Sequence, residues 1–435
     1  MKKLFKLMTI FTVLTLLILL ASCSSSKDMA SGGGFLNGAT MSPGEAFDDG
    51  DVSPEHDEDG PDGEGNNEQI YLPAGMITAG AWSDNDNYTD WLALFAQGDV
   101  NGKFYDFTKS TTSWGFNSLN RVTVSVSCDD LPVAGATVTA TDGEGNVDFT
   151  AVSDAQGIAY LFTDADSGTI NVTSGEGSAE AEFTKDSRSV DVILAKKAEK
   201  KNVIEIMIVV DVTGSMGDEL SFLKAELADV INRIAANDSE TLIKLALLFY
   251  RDNGDRVPFD YYDFTEVTDS DGLAVQQAAL NSQNASGGGD YPEAVDDALE
   301  MAVNKQWSTG ETTKLIFHVL DAPAHNKAKN KEKFLNATKI AAEKGIRICP
   351  IICSGAAEEA EYTMREAAIY TGGTFIFVTD DSGIGGSHHD PGLPNATVEL
   401  LNSMLVRLTK GYHTGNFEPA IYWKEDPNLN NTVIK

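Results

Sequence analysis

Cationic residues are scarce. Lys and Arg together number 32 against 66 Asp and Glu, so the 435-residue chain carries a formal net charge of −34. A surface this acidic repels a phosphate backbone, which excludes nucleic acid as a partner. It also gathers divalent cations without selectivity, so the charge by itself does not argue for a specific metal site. Cysteine is rarer still, with four residues at 23, 128, 349 and 353. Cys349 and Cys353 read as sharing one strand, where four steps of about 3.3 Å put their Cα atoms roughly 13 Å apart, too far for a disulfide. A zinc site would need two further soft ligands beside that pair, and the sequence offers none; pairing of Cys128 with either stays open. Long apolar runs are missing too. The apolar stretch from Leu7 to Leu20 is roughly 14 residues, short of the about 20 that a spanning helix needs.

That short stretch follows Lys2, Lys3 and Lys6 and ends in Leu20-Ala-Ser-Cys23. A charged start, a brief apolar core and small residues make a signal peptide over 1–22. Its end resembles a bacterial lipobox, which implies a lipid on Cys23 as the mature N-terminus. Such an anchor holds a protein on a membrane without spanning it. Ser24 is compatible with outer-membrane sorting, so the expected location is the cell envelope, lipid-anchored at the outer membrane, facing either side. Residues 23–68 are rich in Ser, Gly, Pro, Asp and Glu and read as a disordered tether. Its acidic run Phe47–Glu68 lacks the spacing and flanking helices of a calcium loop, and like-charge repulsion extends it as a stalk.

Residues 69–119 mix aromatics with polar turns. A short helix is expected near Tyr88–Gln97, with Trp82, Trp91 and Trp114 packed rather than offered as a binding surface. Residues 120–196 alternate, as in Arg121-Val-Thr-Val-Ser-Val126, with Gly and Asp turns between short runs; this predicts an all-β, antiparallel sandwich. Pro132-Val-Ala-Gly-Ala-Thr-Val138 and Asp154-Ala-Gln-Gly157 resemble carboxypeptidase-regulatory-like, transthyretin-type domains. The resemblance implies a spacer or interaction module without chemistry. Lys196–Asn202 is a charged linker, and the tail 413–435 has no functional reading.

Residues 200–412 change the pattern. Val203–Val210 is apolar without interruption and reads as a central strand covered on both faces. Asp218–Ala236 carries Leu220, Leu223, Leu227, Val230, Ile231 and Ile234 at helical spacing. Further strands are expected at Lys244–Arg251, Arg256–Phe264 (an edge strand carrying Pro258), Thr313–Leu320, Gly345–Cys353 and Thr374–Thr379. Helices are expected near Leu273–Gln283, Tyr291–Lys305, Lys331–Lys344, Ala357–Tyr370 and Thr397–Lys410. Alternation of this kind makes an α/β domain, Rossmann-like and doubly wound around a mostly parallel sheet.

Ligands of such sheets sit at the carboxyl edge, where this chain places Asp211-Val-Thr-Gly-Ser215. One carboxylate and two hydroxyls there are hard oxygen donors suited to Mg²⁺, or equally Mn²⁺ or Ca²⁺. A cation is the better reading than phosphate: there is no G-x-G-x-x-G and no Walker lysine, and Asp211, Asp218 and Glu219 would repel a phosphate. Asp321, after a second apolar strand, and Asp290, in the loop Ser286–Ala294, complete the set. Asp211-Val-Thr-Gly-Ser215 resembles the D-x-S-x-S signature of von Willebrand factor type A domains, with Asp321 at the family's later aspartate. Gly287-Gly-Gly-Asp-Tyr-Pro-Glu-Ala294 resembles its metal-contacting loop. The family's threonine falls on or near Gly289, which leaves Asp290 or a water to substitute. The resemblance implies a metal-ion-dependent adhesion site that binds a protein partner offering an acidic side chain, in a chain that is not an enzyme. The alternatives are a metal-dependent hydrolase, for which His318 and His325 flank Asp321, and a metal-free envelope assembly scaffold.

Overall fold

The computed structural model describes residues 76–96, 102–236, 240–289, 291–382, 388, 391–393 and 395–429. The leader, the tether with Cys23, and Asp290 lie outside the described residues. In chain order the first elements are β1 (Thr78–Trp82), α1 (Tyr88–Ala93), β2 (Arg121–Cys128), β3 (Leu131–Pro132), β4 (Thr137–Asp142), β5 (Val147–Val152), β6 (Ile158–Phe162), β7 (Ser167–Ser174), β8 (Gly177–Thr184) and β9 (Ser189–Ile193). Then strands and helices alternate: β10 (Val203–Asp211), α2 (Gly217–Ala235), β11 (Leu242–Tyr250), β12 (Phe259–Glu266), α3 (Ser270–Asn281), α4 (Val295–Val303), β13 (Thr313–Leu320) and α5 (Ala328–Lys344). They end with β14 (Ile346–Ile352), α6 (Glu358–Thr371), β15 (Phe375–Val378), β16 (Glu399–Leu400) and α7 (Leu401–Thr414).

The large sheet has the order β12-β11-β10-β13-β14-β15-β1-β16. Strands β11, β10, β13, β14 and β15 run parallel, and β12 closes one edge antiparallel. β13 and β14 are buried at every position, as continuous apolar runs between two helical layers must be. The apolar face of α2, with Leu220, Leu223, Leu227, Val230, Ile231 and Ile234, packs with α7 on one side. α4, α5 and α6 cover the other. Pro258 stands just outside β12, because a residue without an N–H cannot join the ladder, although its carbonyl accepts from Arg251 at 2.9 Å. Among the described residues no helix is long and apolar enough to cross a membrane.

The N-terminal segment supplies a strand that its composition does not announce. β1 lies antiparallel between β15 and β16, pairing Ala79 with Val378 and Glu399. Trp91 and Trp114 are buried, and their indole N–H groups donate to Ser118 Oγ (3.0 Å) and Glu359 Oε1 (3.2 Å). The segment is held to α6 by a buried ion network: Arg365 donates to Asp84 (Nε–Oδ2 2.9 Å) and to Glu361 (2.8 Å).

Strands β2–β9 form two four-stranded sheets, β3-β2-β6 with β9 beside β2, and β5-β4-β7-β8. Their inward residues, among them Val124, Val138 and Val172, belong to one core with the α5–α6 face. Phe162 stacks on Tyr370 of α6 with centroids 4.6 Å apart. The pairing is not wholly antiparallel, as the sequence predicts. β9 runs parallel to β2, because the chain crosses from β8 in one sheet to β9 in the other. At that crossing Arg188 donates to the carbonyls of Asn120, Thr163 and Ala165.

The three described cysteines, Cys128, Cys349 and Cys353, are free and buried.

Candidate metal centre

β10 ends at the carboxyl edge of the sheet with Asp211 opposite Tyr250 of β11, and Asp321 follows directly on the neighbouring β13. The register of two buried strands therefore brings residues far apart in sequence to one rim. Asp211 is fully buried. Its Oδ1 accepts the Thr213 amide at 2.9 Å, while its Oδ2 is buried without a hydrogen-bond partner. The buried Thr213 hydroxyl faces the same carboxylate and closes no hydrogen bond of its own. Ser215 is exposed at the rim, near enough to Asp321 for its hydroxyl to oppose the rise of that carboxyl's pKa.

The glycine loop folds over these groups. The Gly214 amide donates to the Gly287 carbonyl (3.3 Å), and the Gly288 amide donates to Asp255 (3.0 Å). Gly288 has φ +76°, and a Cβ there would lie 2.7 Å from Glu293 Oε1 and 3.2 Å from Thr213 Cβ. A side chain here would be strained by the positive φ and would displace the Glu293 carboxyl. Asp290 lies outside the described residues. The structure instead brings in Glu293, which the sequence reading missed. Taking the helix to start at Tyr291 placed Glu293 inside it. The helix starts at Val295, so Glu293 sits in an extended segment, its amide donating to Pro323 (3.0 Å) and the residue bridging Ala324 beyond Asp321. The signal was present in Pro292-Glu293, an acid held just ahead of a helix.

Electrostatics follow from crowding. Burial pushes the Asp211 carboxyl up to about 7; the Thr213 contacts oppose the rise and the Asp321 charge adds to it. Burial and the charges of Asp211, Asp252, Asp321 and Asp255 push Glu293 up to about 9. Asp321 and Glu219 are raised by burial as well. Glu219 Oε1 accepts from Ser354 at 3.0 Å, while Oε2 of both Glu219 and Glu293 is buried without a partner. A buried carboxylate oxygen with no donor calls for a proton or a cation. Among the described residues, no three His, Cys, Asp or Glu side chains converge closely enough to hold an ion alone. A cation here would rely on hydroxyl and solvent oxygens beside the carboxylates, which suits a hard ion that keeps part of its hydration shell.

The histidines do not build a catalytic set. His318 is fully buried, paired with the Tyr250 hydroxyl at 3.1 Å, and burial lowers its pKa to about 3. His325 bonds Asp252 at 2.8 Å and braces the neighbouring loop. Both histidines are bonded elsewhere, His318 to Tyr250 and His325 to Asp252, and neither is hydrogen-bonded to Ser215.

Residues 205–380 match the family model of the von Willebrand factor A domain. A curated relative, an ariadne-like RING finger protein of Acanthamoeba polyphaga mimivirus, is 30% identical over 136 residues. That match covers 30% of this chain and 12% of the relative, so the chain spans a small part of that protein's length. Among solved structures, the conserved hypothetical protein BatB of Bacteroides thetaiotaomicron is 15% identical, covering 48% of this chain and 96% of that one, with a TM-score of 0.32. The pilus adhesin SpaC of Lactobacillus rhamnosus GG is 11% identical, with 58% and 37% covered and a TM-score of 0.32. Proximal thread matrix protein 1 of the mussel byssus, in a form with a zinc-occupied MIDAS motif, is 14% identical, with 39% of each chain covered and a TM-score of 0.28. Likeness this distant carries no argument about function.

Proposed function

We propose that this chain is a cell-envelope adhesion protein that binds a protein partner through a divalent cation, Mg²⁺ in the first place, at the rim formed by Asp211, Thr213, Ser215 and Asp321. Asp290 belongs to the proposed set by its place in the loop, and Glu293 by its position. The observation that carries the reading is the pair of buried oxygens without a hydrogen-bond partner, Asp211 Oδ2 and Thr213 Oγ1, at the rim where Asp321 follows β13. When bound, the ion would supply an electrophilic centre for a carboxylate of the partner. Asp211 and Asp321 would hold it, and the hydroxyls of Thr213 and Ser215 would add oxygen without adding charge. Gly288 sits between Glu293 and Thr213, and the buried strands fix the spacing.

Binding rather than catalysis is favoured because His318 is buried and neutral against Tyr250 and His325 is bonded to Asp252, so neither histidine serves Ser215. The lipid on Cys23 would tether the chain at the outer membrane, with residues 23–68 as stalk and 120–196 as a transthyretin-type spacer. The test is capture of partners from native cell envelopes by the purified full chain, with and without EDTA. Capture that depends on the ion and disappears in Asp211→Ala supports the proposal; equal capture under chelation sinks it.

A further inference from the structure

At the opposite edge of the large sheet, where the parallel strands begin, a cavity of about 350 Å³ opens between the β-rich sheets and the α/β layer. Eight steps along β10, from Val203 to Asp211, separate that edge from the candidate metal centre, roughly 26 Å at about 3.3 Å per residue. Five cations line it: Lys200, Lys305, Lys314, Lys344 and Arg347. In a chain of net charge −34, this concentration of positive charge needs a reason.

None of the five is ion-paired among the described residues. Their nitrogens meet neutral groups instead. Lys314 Nζ donates to the Lys344 carbonyl at 3.1 Å, and Lys344 Nζ to the Val303 carbonyl at 2.9 Å. Arg347 donates to the carbonyls of Thr371 (2.6 Å) and, across to the β-rich sheets, Val152 (2.8 Å). Lys200 donates to the His413 carbonyl, and Lys305 lies over the Tyr261 ring at 3.9 Å. Capping the C-termini of α4, α5, α6 and α7 accounts for part of this, but each helix end supplies only about half a negative charge. Three acids also line the cavity. Asp154 accepts from the amides of Gln156 and Ile158, and Glu311 accepts from the Ser174 hydroxyl. That leaves Glu343 as the acid without such a tie among the described residues. Burial lowers the pKa of Lys314; Glu205 opposes the drop and the charges of Arg347, Lys201 and Lys344 deepen it. The cluster is thus crowded with like charge and partly stripped of water.

We propose that this cavity is a binding site for a small oxyanion, a phosphate group either free or carried on a compact organic body. Such a ligand relieves the repulsion among the lysines and bridges the β-rich sheets to the α/β layer. The cavity is larger than an inorganic ion, which leaves room for a small body.

The experiment is calorimetric titration of the full chain in buffer stripped of divalent ions on a chelating resin, with inorganic phosphate and glucose 6-phosphate as probes and chloride at equal ionic strength as reference. The expected result is saturable binding of at least one probe, weakened about tenfold or more in Lys200→Ala/Lys344→Ala. Both lysines have exposed side chains, so the variant should melt like the wild type without ligand; Lys200→Ala alone serves if it does not. Tighter binding of glucose 6-phosphate assigns an organic phosphate, and equal binding assigns the free ion. Heats no greater than those of chloride, or undiminished binding in the variants, overturn the proposal.

Discussion

Asp211 illustrates what a single buried acid can control. Its carboxyl is raised to about 7, so in the absence of a cation the folded state binds a proton that the unfolded state has released above about pH 4. Stability linked to this group is complete below pH 4 and is lost as the pH rises through 7. In chelated buffer at pH 8, Asp211→Asn should therefore melt higher than the wild type, and it should no longer respond to Mg²⁺. The wild type should gain about 2.7 kcal/mol at a Mg²⁺ concentration a hundredfold above its Kd. Thermal melts across pH and Mg²⁺ check both signs, and a wild type indifferent to Mg²⁺ refutes the second. Glu293→Gln should weaken the Mg²⁺ response about tenfold, near 1.4 kcal/mol, by removing a charge and keeping the shape. An unchanged midpoint in the Mg²⁺ titration would remove Glu293 from the set. Legibility differs residue by residue. Asp211, Thr213 and Ser215 are readable because they directly follow an unbroken apolar run. Glu293 is not, since its role depends on α4 starting two residues after it, a boundary that helical periodicity does not resolve.

At the scale of elements, strands buried on both faces declare themselves and inserted ones do not. β13 occupies the residues its composition predicts, Thr313–Leu320. β1, with the sequence Thr-Ala-Gly-Ala-Trp, has little strand character, and its partners Phe375–Val378 and Glu399–Leu400 lie at the other end of the chain. Only tertiary pairing makes it a strand. The parallel β2–β9 ladder is hidden for the same reason: alternation reports a half-buried strand, not the direction of its neighbour. The lock between the N-terminal segment and α6 is testable. Arg365→Ala leaves Asp84 buried without its cation, while Glu361 keeps Lys103, and should cost about 3–5 kcal/mol in urea unfolding. A loss under ~1 kcal/mol would mean that water already reaches the pair. Glu366 on the same helix is pushed by burial up to about 8, although the Ser118 hydroxyl bound to it at 3.0 Å opposes the rise. Its contribution to stability falls as the pH climbs from about 4.5 to 8. Glu366→Gln keeps the acceptor for Ser118 and should flatten that slope, becoming the more stable protein at pH 9; parallel pH profiles would show that Glu366 does not titrate there.

The molecule as a whole extends beyond the matched segment. Residues 205–380 contain neither β1 nor α7, yet both complete the layers around that sheet. Produced alone, this segment should lack a cooperative transition by circular dichroism, whereas the full chain should melt its ordered part as one unit. A sharp two-state melt of the isolated segment would show that the outer elements are dispensable. The direction of β1 has a mechanical consequence. Because Ala79 pairs with Val378 and Trp82 with Phe375, the chain enters β1 at the same rim that carries Asp211. Tension between the chain ahead of Met76 and a molecule gripped at that rim would pull sideways across four ladders, from β1 to β10, a span of roughly 19 Å at about 4.8 Å per strand. Sideways traction separates paired strands one bond at a time. The four-pair seam between β1 and β15 lies in the path of that load.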